Sequence, residues 1–110
     1  MIKIVEIMKH NHLNGFEITG HAGYAEKGKD IVCCGVSVLS QNAINSLTSI
    51  AVCPLDYVCE DGHIRMEVKG QPSIYADVIL SCTQLGLRGI AEQYPTYIDY
   101  MKGGANDETI

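Results

Sequence analysis

The sequence predicts an α+β fold: a single domain in which one mostly antiparallel sheet carries two helices, in the order ββα-ββα-β. Three observations lead there. Asp61-Gly62, a strong hairpin dipeptide, lies between Tyr57–Glu60 and His63–Val68. Two long stretches repeat apolar residues at three- and four-residue steps, and each follows a capping residue, Asp30 or Ser73. A pair of strand-like stretches precedes each of them. At 110 residues the chain can bury a modest core without disulfides or metals as staples.

Taken in order, Met1–Lys9 is rich in Ile and Val and reads as a strand. Asn14-Gly15 supplies a turn signal, so 10–15 reads as a loop. Phe16–Thr19 alternates apolar and polar residues and reads as the second strand, which Gly20 ends. Ala22–Lys29 has neither a helical nor a strand period and reads as a mobile loop. Asp30 can cap the helix that follows, which runs to about Ile50. Cys33, Val36, Ser37, Ser40, Ala43, Ile44, Leu47 and Ile50 share one face of it, and Val38 and Leu39 suggest cover on a second side. After Pro54 comes the hairpin, where Ile64, Met66 and Val68 form the buried face of its second strand. Ser73 starts the second helix, reaching about Tyr94 with an apolar stripe of Tyr75, Val78, Ile79, Cys82, Leu85 and Ile90. Gly86 and Gly89 weaken that helix or admit a close neighbour. Pro95 stops it. Thr96–Met101 reads as a last strand. The domain is therefore 1–102, with 103–110 a flexible polar tail. A helical layer on so small a sheet leaves apolar surface, and a homodimer is expected.

The formal net charge is −5, which disfavours a generic grip on nucleic-acid phosphates. No phosphate loop or dinucleotide glycine pattern is present. The five cysteines are an odd number, and Met1–Glu6 is no signal peptide, so a reducing cytoplasm is expected. No apolar run approaches the ~20 residues that span a bilayer, so no membrane partner is expected. Cofactors and metals are not expected either. His21, Cys33 and Cys34 lack paired-ligand spacing and a fourth ligand.

The chemistry concentrates in 20–37. Cys33 lies three residues after the cap, in a first helical turn where free N–H groups stabilise a thiolate and could hold an oxyanion. A buried first-turn cysteine is the bland alternative. His21 ends a strand and faces a loop, where an imidazole could take a thiol proton and return it to a leaving amine. Asp30 either orients His21 or simply caps the helix. Ser37, one turn beyond Cys33, could support the site or bond back to its own helix. Cys34 points about 100° away, and its backbone N–H is a candidate oxyanion donor. Ala22, Gly23, Tyr24 and Gly28 belong to a loop placed to cover substrate, with the two glycines as hinges.

Gly20-His21-Ala22, the short glycine-containing loop, and Asp30-Ile31-Val32-Cys33 followed by Gly35 and Ser37 resemble the signature of the Prp family of ribosomal-processing cysteine proteases. Length and element order are similar throughout. The resemblance implies Cys33 as nucleophile and His21 as general base and acid. It implies a substrate with an aromatic-rich and then basic N-terminal segment: the extension of a large-subunit ribosomal protein, or a phage capsid or scaffold protein with a similar motif. It also implies a homodimer joined through helical surfaces. Cys34 stands where the family has a small residue such as Ala. Two other classes of function compete: a non-catalytic peptide-binding module on ribosome or virion, which needs no reactive Cys33, and a thiol redox sensor, which needs Cys34.

Overall fold

The computed structural model describes residues 1–103. Its elements are β1 (Ile2–Lys9), β2 (His12–Thr19), α1 (Ile31–Ser49), β3 (Leu55–Glu60), β4 (His63–Val68), α2 (Ile74–Gln93) and β5 (Ile98–Met101). The five strands form one sheet in the order β3-β4-β2-β1-β5. Every neighbouring pair is antiparallel except β1–β5, which is parallel. The α+β order is as the sequence predicts. Of the predicted 103–110 tail, residues 104–110 lie outside the described residues, and Gly103 is held by its N–H on Glu6 Oε1 at 2.7 Å.

Register explains the core. Glu6, Phe16, Met66 and Tyr57 lie opposite one another across four strands, as do Ile4, Ile18, Ile64 and Cys59. Directly paired residues share a face of the sheet. On that face Ile4, Phe16, Ile18, Ile64 and Met66 are buried against Val32, Val36, Ala43 and Leu47 of α1 and Ala76, Leu80 and Leu87 of α2. The helices approach each other where side chains are small. A Cβ on Gly86 would lie 3.0 Å from Leu39 Cδ1, and one on Gly35 would lie 3.2 Å from Ile90 Cδ1.

Four expectations change. The first turn is His10-Asn11, both in the left-handed region at φ 52° and 59°, and β2 starts at His12. Asn14-Gly15 lies inside that strand, not in a turn. The register shifts between Ile7 and Met8 and skips Asn14, which is buried and donates from Nδ2 to the Val68 and Gly70 carbonyls at 3.2 and 2.9 Å. Gly15 is needed for close approach, since a Cβ there would meet Met66 O at 1.9 Å. The pair thus serves a bulge, for which local sequence gives the same signal as for a turn.

The predicted α2 stripe divides: Ile79 and Ile90 are half-buried and pack against the core, and Tyr75, Val78, Cys82 and Leu85 face outward. Ala76, Leu80, Thr83 and Leu87 are buried, while Tyr75, Val78 and Leu85 are 66%, 59% and 77% exposed. Both sides of this helix are apolar, and the larger residues are on the outer one. On α1, likewise, Val38 and Ile50 are exposed. Finally, α1 is uncharged over 19 residues and is long and apolar enough to cross a membrane, contrary to expectation. Gln41, Asn42 and Asn45 interrupt the run without lowering its average far enough. Here Val32, Val36, Ser40, Ala43, Ile44 and Leu47 are buried in the fold, as in the core helix of a globular domain.

Candidate active site

The site begins where β2 ends. Gly20 has φ 88°, and a Cβ on it would meet Met1 O at 2.4 Å, so only glycine turns the chain there. Its N–H donates to Gly62 O at 3.0 Å, tying the end of β2 to the tip of the β3–β4 hairpin. His21 follows, its side chain 61% exposed. Ala22 turns back into the core, and its backbone N–H donates to Cys33 Sγ at 3.1 Å. The residue next to the imidazole therefore touches the thiol, although eleven positions separate them in sequence.

Asp30 builds the other side. One carboxylate oxygen, Oδ1, accepts from the Val32 and Cys33 N–H groups, each at 3.0 Å, and Oδ2 accepts from Tyr24 N–H at 3.0 Å. Burial pushes this carboxyl up, but the N–H groups of Cys33, Tyr24, Ala25 and Val32 outweigh it and hold the group below its ordinary value. Asp30 is thus a cap that also anchors the loop, with both oxygens committed to backbone. The carboxylate facing His21 is Asp61, whose Oδ1 lies 3.8 Å from Nε2. Asp61 was legible in the sequence only as half of a hairpin signal.

The expected oxyanion donor changes too. Cys34 N–H donates to Asp30 O at 3.0 Å and Cys33 N–H to the Asp30 carboxylate, so neither first-turn N–H is free. Of the backbone donors described near the sulfur, Ala22 N–H is the one aimed at it. The Cys34 side chain itself is exposed.

The loop 22–29 follows a defined path without helix or strand. Tyr24 packs edge-on against Tyr94 and Tyr97, with ring centroids 5.7 and 5.2 Å away. Gly23 and Gly28 have φ 70° and 91°, and open space surrounds a Cβ on either, so backbone conformation alone selects glycine. Lys27 Nζ reaches toward Asp61 Oδ2 at 3.9 Å.

Between α1 and the hairpin lies a cleft of about 710 Å³. Ile2, Ile18, Val36 and Ile64 contribute apolar walls, and His21, Cys33, Ser37, Gln41 and Asp61 bring polar groups to it. Cys34 and Cys59 also line it, and all five cysteines are unpaired. Gln41 and Cys59 were not singled out in the sequence; Gln41 lies two turns beyond Cys33, and Cys59 enters through its register with Ile64. Among the described residues no three His, Cys, Asp or Glu side chains converge on a point that could hold a metal ion. An apolar cleft lined by a thiol, an imidazole and a carboxylate is suited to nucleophilic attack on a bound carbonyl.

Comparison with known proteins agrees with this chemistry. The family model described as cysteine protease Prp matches residues 1–99. The ribosomal processing cysteine protease Prp of Bacillus subtilis is 46% identical over 48 residues, 43% of each chain. That of Staphylococcus aureus is 36% identical over 78 residues, which cover 68% of this chain and 73% of the relative. The crystal structure of the S. aureus protease Prp with a covalently linked product peptide shares the fold, with TM-score 0.83 at 24% identity over 98% of this chain and 100% of the other. A Streptococcus mutans protein aligns with TM-score 0.78 at 27% identity, covering 98% and 97%. With the family model spanning all but the last eleven positions, and with a thiol and an imidazole lining the cleft, the chain belongs to the Prp family of cysteine proteases.

Proposed function

We propose that this protein is a cytoplasmic endopeptidase that removes the N-terminal extension of a large-subunit ribosomal protein, with Cys33 as nucleophile and His21 as general base and acid. The observation that carries the assignment is the Ala22 N–H donated to Cys33 Sγ at 3.1 Å, which ties the residue after the imidazole to a thiol that lines the cleft. The protein's relatives in B. subtilis and S. aureus, ribosomal processing cysteine proteases, support the substrate class.

In this mechanism His21 takes the Cys33 proton, and the thiolate attacks the scissile carbonyl carbon. Ala22 N–H, released from the sulfur as the C–S bond forms, turns to the developing oxyanion. The tetrahedral intermediate collapses, the C–N bond breaks, and the imidazolium gives its proton to the departing amine. Water, deprotonated by His21, then attacks the thioester, and Cys33 leaves as thiolate. The loop 22–29 closes over a bound peptide about Gly23 and Gly28, and Ser37 lies one turn behind the sulfur to support it. The first test is cleavage, read by mass, of a peptide joining an aromatic-rich segment to a basic one. A single cut at the junction is expected. Cleavage of a phage capsid or scaffold segment in preference to the ribosomal one would move the substrate assignment, and no cleavage of either would end it.

The same reading includes a homodimer. The outer face of α2 presents Ile74, Tyr75, Val78 and Leu85, all more than half exposed, with no charge among them to repel an identical copy. Sedimentation of the wild type is expected to give a dimer, and Val78→Glu with Leu85→Glu a folded monomer. A monomeric wild type would remove the dimer from the proposal.

A further inference from the structure

We propose that Asp61, at the tip of the β3–β4 hairpin, is the positioning residue for His21. This rests on the reading of His21 as the base for Cys33. Asp61 Oδ1 faces Nε2 of the imidazole at 3.8 Å, within the range of ion pairing. A neutral imidazole protonated on Nε2 directs that proton to the carboxylate and leaves the Nδ1 lone pair for the thiol proton. When Nδ1 takes it, the resulting imidazolium faces a fixed negative charge. Asp61 keeps its negative charge throughout, and no proton passes to it.

Two further observations tie the hairpin tip to His21. Gly20 N–H donates to Gly62 O at 3.0 Å, so the backbone beside Asp61 is bonded to the residue before His21. Gly62 has φ 75°, and a Cβ on it would lie 3.1 Å from His21 Nε2, so the ring rests against the glycine. The imidazole edge is thus bounded by Gly62 while Asp61 faces its N–H. The other charged groups around the pair are accounted for. Lys27 Nζ is 3.9 Å from Asp61 Oδ2, Asp30 is committed to backbone N–H groups, Glu60 lines the cleft, and His63 Nε2 is paired with Glu17 at 3.0 Å.

An exposed carboxylate near an imidazole is a weak pair in water, so its effect is on orientation and on the imidazolium formed during reaction, not on stability. The experiment compares wild type, Asp61→Asn and Asp61→Glu. Asparagine preserves the Xaa-Gly turn chemistry, so the hairpin is retained. In peptide cleavage Asp61→Asn is expected to lower kcat about tenfold with KM unchanged, and Asp61→Glu to restore most of it. Independently of any substrate, the rate of Cys33 alkylation by iodoacetamide is followed against pH by mass analysis of the Cys33 peptide. Its midpoint is expected to move to higher pH in Asp61→Asn, because a less favoured imidazolium stabilises the thiolate less. His21→Ala should erase the difference between Asp61 and Asn at that position.

If Asp61→Asn matches wild type in both kcat and alkylation profile, the proposal fails. A loss of kcat with an unmoved profile and no rescue by glutamate also overturns it, since that is the signature of a structural role. The wild type's own cleavage, and its loss in Cys33→Ala, test the protease reading separately. A wild type that cleaves beside an indifferent Asp61→Asn leaves that reading intact and removes only Asp61.

Discussion

Cys33→Ala is expected to lower peptide cleavage by at least about 10⁴-fold, while Cys34→Ala stays within about threefold of wild type. The two thiols are adjacent in sequence but differ in environment. Cys33 is half-buried and receives the Ala22 N–H, and Cys34 is exposed with its own N–H bonded to Asp30 O. Alanine at 33 removes the atom that forms the acyl bond. Alanine at 34 leaves the helix, the cap and the Ala22 contact in place. The variants separate the competing classes of function. A peptide-binding module retains binding in Cys33→Ala and never cleaves, and a redox sensor loses function in Cys34→Ala. Steady-state kinetics on the junction peptide, with product masses, decides among them. Comparable losses from both single substitutions would sink the assignment of Cys33 as sole nucleophile.

Glu6→Ala is expected to destabilise the fold by about 3–5 kcal/mol, a large share of the roughly 5–15 kcal/mol available to a domain. Glu6 is 1% exposed on the helix-facing side of β1, where an apolar residue would continue the pattern of Ile2 and Ile4. Its carboxylate is fully engaged. Gln84 Nε2 donates at 3.0 Å, Arg88 donates from Nε and Nη2 at 3.0 and 3.1 Å, Tyr100 OH donates at 2.5 Å, and Gly103 N–H donates at 2.7 Å. The group therefore joins β1, α2 and the end of β5. Removing it leaves the Arg88 charge and the Tyr100 hydroxyl without their partner, which is why the loss exceeds that of one ordinary hydrogen bond.

Acid should act on the same cluster. Burial pushes the Glu6 carboxyl up, but Tyr100, Gly103, Gln84 and Arg88 outweigh it and hold it below its ordinary value of 4.5. Glu67 behaves alike, with burial opposed and exceeded by Lys9 and Arg65. Burial first, and then Glu6, push the Tyr100 hydroxyl up, so it remains a donor. A folded-state value below the unfolded one contributes stability above the unfolded pKa, and that contribution is lost as pH falls through the folded pKa. Urea unfolding of the wild type should therefore weaken from about pH 4.5 downward, and the gap between wild type and Glu6→Gln should narrow over the same range. A gap that stays constant to low pH would show that the Glu6 charge is not what stabilises the cluster.

The sequence by itself determined the elements whose signals are local. Asp30 and Ser73 cap their helices through N–H groups two or three residues away, so the start of each helix is legible from a few positions. Asp61-Gly62 closes a hairpin between its immediate neighbours. The order ββα-ββα-β follows from such signals, and so does the placement of Cys33 in a first helical turn. Tertiary structure decided whatever depends on residues far apart. Whether Asn14-Gly15 makes a turn or a bulge depends on Met66, Val68 and Gly70, some fifty positions on, because the bulge exists to feed those carbonyls and to clear one of them. Which apolar face of α2 is buried depends on the sheet and on Leu39, since both faces carry apolar residues and periodicity cannot rank them. The carboxylate facing His21 is Asp61, forty residues away, and not the nearby Asp30, because backbone N–H groups of the helix start and of the loop at Tyr24 engage the two Asp30 oxygens while Gly20–Gly62 pairing brings the hairpin tip to the imidazole. Local hydrogen bonding chooses the elements, and long-range pairing chooses which of their side chains meet.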